Sequence, residues 1–202
     1  MPNGPKVDAG DTAGAAQSYD RATLRRQEGF RLAADYVAQA FGCVPAVSKV
    51  VLFGSVAMPL GREVPRRRPP RGTTAPAFQE CKDVDLAVWL SDLTQLGALQ
   101  RARSDALKRL LAEHSVGVAH HEVDVFLMEP GTDRLLEWLC YFTTCPKQGK
   151  AECLTPGCGA VPLLRRDERF VLDPAAFRSE GVQVLFERRA GTGECHLEGG
   201  QE

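Results

Sequence analysis

Apolar positions along the chain change period several times, and each change marks an element. Phe30, Ala33, Ala34, Val37 and Phe41 recur at three- and four-residue steps, the spacing of one helix face, and Gly42 stands where such a helix would end. Ser18 and Asp20 are residue types that cap a helix start. A helix is therefore predicted from there, after a Gly-, Ala- and Pro-rich leader (residues 1–17) expected to be disordered. Residues 47–53, Val-Ser-Lys-Val-Val-Leu-Phe, are β-branched and aromatic and read as a buried strand that runs directly into Gly54-Ser55. A second strand is predicted over residues 84–90, with Asp83 at its entrance. Ser91 then offers an N-cap for a helix of about twenty residues. On that helix Leu93, Leu96, Leu99, Ala106, Leu107 and Leu110 share one face, with the arginines and lysine mostly opposite. A third strand, residues 122–128, stops at Pro130-Gly131, and a short amphipathic helix is predicted over residues 133–142. Beyond it lie a cysteine-rich segment, strands at residues 170–172 and 182–186, and a tail after Ala190 expected to be disordered.

This order predicts an α/β (α+β) domain with a small central sheet. The core is assigned to residues 18–135, a Cys-rich appendage to 136–190 and the tail to 191–202. Residues 59–80 form an insertion carrying five prolines, two glycines and the cluster Arg62, Arg66, Arg67, Arg68 and Arg71. Loops of that length in a compact domain are uncommon and are usually functional or mobile. Composition leaves the picture in place: the 202 residues are 44% hydrophobic and 25% charged, enough for a real core. No run reaches the roughly 18 apolar residues of a membrane span, and no basic segment precedes an apolar one at the start, so a cytoplasmic protein is expected. A formal net charge of −1 argues against wholesale coating of nucleic acid, although the arginine cluster is a local cationic loop.

The candidate chemistry sits on the strands. In Lys82-Asp83-Val84-Asp85-Leu86, alternation puts Asp83 and Asp85 on one face. Like charges so close repel unless a cation lies between them, and oxygen ligands suit magnesium. Taken alone, the pair reads better as two solvent-facing acids on a half-exposed strand. Asp124, flanked by Val123 and Val125 on the third strand, can join them if the two strands are neighbours. Glu122 shares its face and is a weaker substitute. At Gly54-Ser55, glycine permits a sharp turn and lets backbone N–H groups approach an anion.

Leu52-Phe53-Gly54-Ser55, then Asp83-Val84-Asp85-Leu86, then Val123-Asp124-Val125 together resemble the signature of the DNA polymerase β-like nucleotidyltransferase superfamily, over roughly residues 22–130. The resemblance implies a minimal nucleotidyltransferase fold, a small mixed sheet flanked by helices. It also implies transfer of a nucleoside monophosphate from an NTP, ATP being the first candidate, to an acceptor hydroxyl. In that scheme Gly54 and Ser55 hold the terminal phosphates. Asp83 and Asp85 bind two magnesium ions, and Asp124 completes the ion beside the acceptor. The sequence departs from the family in the long insertion between Gly-Ser and the acid pair. Two other readings stay open: a non-catalytic, antitoxin-like relative that binds a protein partner, and an RNA-binding module that uses the arginine loop.

There are seven cysteines, expected to be reduced in a cytosolic protein. Cys140, Cys145, Cys153 and Cys158 follow a C-x4-C-x7-C-x4-C spacing among turn-forming glycines and Pro156, a candidate structural zinc site. Cys140 is alternatively packed core within the predicted helix, in which case His120, His121 or His196 would be the fourth ligand. His114, near a helix end, is read as a cap or dipole partner.

Overall fold

A computed structural model describes residues 9–59, 63–64, 77–78, 81–142, 145, 158, 161–166, 172–178 and 181–188. Helix α1 spans Ala9–Gly42. It begins well before Ser18, so residues 9–17 of the expected leader belong to it. Strand β1, Val47–Phe53, leads into a one-turn helix α2, Gly54–Ala57. Within the insertion, β2 (Glu63–Val64) and β3 (Ala77–Phe78) pair as a small antiparallel ladder. The arginine cluster lies outside the described residues.

Strand β4, Val84–Leu90, falls where alternation placed it. Helix α3 is Leu96–His114, starting later than Ser91. Ser91 instead donates its backbone N–H to the Ala46 carbonyl, and the Asp92 side chain accepts from the Thr94 N–H at 2.7 Å, a local turn that delays the helix. A 3₁₀ turn, His120–Glu122, precedes β5, Val123–Met128. The helix expected over residues 133–142 is instead strand β6, Leu135–Leu139. A short apolar run fits either period, and here the open edge of β5 decided it. Gly131, at φ +71, turns the chain back, and the Trp138 ring meets Phe126 edge-on at 5.3 Å across the ladder. Strands β7 (Leu164–Arg165) and β8 (Gln183–Glu187) complete the sheet. The strand expected over residues 182–186 is thus β8, shifted by one residue, whereas most of residues 170–172 lies outside the described residues.

The sheet order is β7-β6-β5-β4-β1-β8, with β4 and β5 parallel and every other pair antiparallel. It is a mixed sheet, as expected, but α1 and α3 share one face. Val50, Leu52, Leu86, Val88, Val125 and Leu127 point into that layer, against Phe30, Val37, Phe41, Leu99 and Leu110. The opposite face carries Val51, Phe53, Ala87, Trp89, Phe126 and Met128, and the chain around Leu172, Phe177 and Val182 covers it. Among the described residues, no helix is long and apolar enough to cross a membrane.

Arg103 is the unexpected member of the core. Although it is an arginine, it is wholly buried on the inner face of α3. Its guanidinium donates to the carbonyls of Val123 (3.3 Å), Cys140 (2.8 Å) and Tyr141 (3.2 Å) and to Gln100 Oε1 (2.6 Å). Burial lowers its pKa to about 10, well short of neutralising it. The charge therefore pins α3 to the start of β5 and the end of β6. Removing it strands buried carbonyls, so Arg103→Met is expected to cost about 3 kcal/mol, read as a lower urea midpoint at unchanged slope. A variant as stable as the parent would refute this role.

Candidate active site

Phe53, at the end of β1, pairs with Asp85 of β4. The next residue, Gly54, has φ +75, a left-handed conformation that side chains resist. A Cβ there would also collide with the Asp85 carboxylate. Glycine is thus required twice, by the backbone and by the acid packed against it.

The turn is anchored from behind by α1. Gln27, buried, donates from Nε2 to the carbonyls of Met58 (2.8 Å), Val56 (3.3 Å) and Ser55 (3.4 Å). Arg31 donates to Val56 O and Met58 O, each at 2.9 Å, and the buried Cys81 thiol reaches Ser55 O at 3.5 Å. In a trans peptide the N–H points opposite to the carbonyl. With the Ser55 and Val56 carbonyls drawn toward α1, the N–H groups of Val56 and Ala57 are directed away from it.

Asp85 and Asp124 are directly opposite each other in the parallel β4–β5 ladder. They therefore stand side by side on one sheet face, on strands about 4.8 Å apart. It is the face that carries Ala87, Trp89, Phe126 and Met128, away from the helices. At an effective dielectric of about 20, two carboxylates about 5 Å apart repel by on the order of 3 kcal/mol, a large fraction of a domain's net stability. Asp85 has no hydrogen bond or ion pair among the described residues. Burial first, then the charges of Asp124 and Asp83, push its pKa up to about 7. Asp124 is also raised by burial, but the Tyr141 hydroxyl, donating to Oδ1 at 2.7 Å, and the nearby Arg165 and Arg103 pull it back.

Of the expected site residues, Gly54, Asp85 and Asp124 are brought together and Ser55 adjoins them in α2. Asp83 sits just before β4, near enough for its charge to act on both acids. Among the described residues, no group of three or more His, Cys, Asp or Glu side chains is gathered as a ready metal-ligand set. The facing pair nevertheless suits magnesium, which is commonly held by one or two carboxylates together with substrate phosphates. Glu122 turns away, accepting from Ala119 N at 2.8 Å and pairing with Arg26 at 3.0 Å.

The cysteine segment does not present a zinc site among the described residues. Cys140 is buried with its N–H on Leu163 O, Cys145 packs against the helix-side core, and Cys158 bridges to Arg165; Cys153 and His196 lie outside the described residues. Cys140 directly follows strand β6 and is not in a helix. Cys43 is disulfide-bonded, which departs from the expectation of thiols throughout. His114 meets Tyr36 Oη at 2.7 Å, and His121 is exposed.

Sequence reading missed Tyr141, Arg165, Gln27 and Arg31. The Arg165 guanidinium lies over the rings of Trp138 and Tyr141, at 4.6 and 4.9 Å. No local motif marks any of these four, because each acts on a residue distant in sequence.

Two outcomes follow from this geometry. Gly54→Ala should cost about 1–3 kcal/mol from backbone strain and the clash with Asp85. Part of that loss should return in the Asp85→Ala background, as a double-mutant cycle in chemical denaturation would show; strict additivity would exclude the contact. Asp85 also links stability to pH. Its folded pKa of about 7 exceeds the ordinary 3.8, so between those values the folded chain keeps a proton that the unfolded chain has lost. Stability of the chelator-treated protein should then fall as pH rises through that window and be lower at about pH 8 than at about pH 5. Asp85→Asn should remove most of the difference, and a parent chain no weaker at the higher pH would contradict the assignment. Comparison with known proteins finds no family model, curated protein or solved structure that matches this chain.

Proposed function

We propose that the chain is a nucleotidyltransferase that moves a nucleoside monophosphate from an NTP, ATP first among them, to an acceptor hydroxyl. The observation that carries the reading is the in-register pair Asp85–Asp124, with Gly54 packed against Asp85. The order of parts supports it: a Gly-Ser turn closing one strand, acids opening the next, and a further acid on the parallel neighbour. This is the arrangement that the resemblance to the DNA polymerase β-like superfamily and its minimal fold implies.

In this reading the acceptor hydroxyl gives up its proton to solvent, its oxygen attacks the α-phosphorus, the bond to the bridging oxygen breaks and pyrophosphate leaves. Asp83, Asp85 and Asp124 would hold two magnesium ions, which supply charge neutralisation at the phosphates and at the attacking oxygen when bound. Gly54 leaves room for the Asp85 carboxylate, and Gly54 and Ser55, with the N–H groups directed away from α1, would receive the terminal phosphates. Gln27 and Arg31 hold that turn in place, so the site acts chiefly by positioning. A cytoplasmic setting, where NTP and magnesium are plentiful, goes with this reading. A structural zinc is not part of it.

The test is transfer of label from α-labelled ATP with magnesium to a panel of small hydroxyl acceptors, proteins and RNA 3′ ends. Asp85→Ala and Asp124→Ala should each reduce turnover by roughly a hundredfold or more. Absence of turnover together with absence of ATP and divalent-ion binding would sink the reading. Steeply salt-dependent RNA binding that survives loss of the acids would replace it with an RNA-binding module.

A further inference from the structure

Tyr141 lies beyond the nucleotidyltransferase motifs, in the segment after β6, yet its hydroxyl donates to Asp124 Oδ1 at 2.7 Å. The other oxygen of that carboxylate, Oδ2, accepts no hydrogen bond from the described residues. Tyr141 is itself held at its backbone and at its ring. Arg103 Nη2 donates to the Tyr141 carbonyl at 3.2 Å, while Nη1 of the same guanidinium donates to the carbonyl of Val123, the residue before Asp124, at 3.3 Å. One buried cation thus fixes both backbone segments that present the hydroxyl and the carboxylate. From the other side the Arg165 guanidinium lies 4.9 Å from the ring centre. Asp85, the facing acid, has no such support among the described residues.

We propose that Tyr141 is a positioning residue of the acid site: by occupying Asp124 Oδ1 it fixes the carboxylate plane and reserves Oδ2 for a divalent cation shared with Asp85. The inference rests on the reading of Asp124 as a cation ligand. Metal ligands are commonly oriented by an outer hydrogen bond whose loss weakens binding without touching the ion. The hydroxyl does so here at the cost of no charge, and a lysine or arginine at that place would compete with the cation.

The test is Mn2+ affinity of the full chain, measured by electron paramagnetic resonance with and without a non-hydrolysable ATP analogue. Tyr141→Phe keeps the ring under Arg165 and removes only the hydroxyl. It should weaken Mn2+ binding roughly tenfold or more while leaving the melting of the metal-free chain nearly unchanged. Arg165→Gln, which keeps the hydroxyl and frees the ring, should give a smaller loss in the same direction. The proposal is overturned if both variants bind Mn2+ as the parent does, or if Tyr141→Phe lowers the melting temperature without changing the affinity, which would make the tyrosine merely structural. Failure of the underlying reading looks different: the parent binds no Mn2+, or Asp85→Asn and Asp124→Asn bind it as tightly as the parent.

Discussion

The parallel pairing of β4 with β5 is the constraint on which the rest of this structure depends. A parallel pair needs a crossover, and α3 supplies it, lying on the same sheet face as α1. The pairing sets Val84 opposite Val123 and Asp85 opposite Asp124. A slip of one residue would turn the acids into the helix layer and the valines out of it. The hydrophobic pattern that buries Val84, Leu86, Val123 and Val125 therefore holds two carboxylates side by side as well. Their mutual repulsion is maintained by the core beneath them.

Two polar devices secure that arrangement. Arg103 bridges the opening of β5 and the chain after β6 from beneath the sheet. Gln27 and Arg31 gather the carbonyls of the Gly54-Ser55 turn from α1. Both are buried or half-buried side chains that satisfy backbone acceptors which packing alone would leave unpaired. The paired acids stand on the sheet face away from α1 and α3. There Asp85 has no partner among the described residues, and Asp124 is held by Tyr141. Two acids of one kind thereby acquire different properties from their surroundings.

Much of the frame could be read from residue patterns. β1, β4 and β5 and the inner face of α3 followed from apolar periodicity, because burial against a sheet imposes periods of two and 3.6. The Gly54-Ser55 turn and the three acids were legible as motifs for the same reason: each lies at the end of such a strand. The boundaries of α1 and α3 were less so, since capping residues such as Ser18 and Ser91 are as common in turns as at helix starts. The segment of residues 133–142 was misread because Leu135, Leu136 and Leu139 satisfy a helical period as well as a strand, and only the free edge of β5 chose between them.

What the sequence determined by itself was the set of local elements and the candidate acids, since both depend on neighbours a few residues apart. Tertiary structure alone decided which acids meet, that Glu122 turns away to Arg26, that Arg103 is core, and that Tyr141 reaches Asp124. It also decided that Cys140 follows β6 into the core, and that among the described residues Cys140, Cys145 and Cys158 do not gather into a ligand set. The physical reason is the same throughout: these contacts join residues far apart in the chain. Their geometry is set by strand register and by the hydrogen-bonding demands of buried groups, and local sequence carries neither.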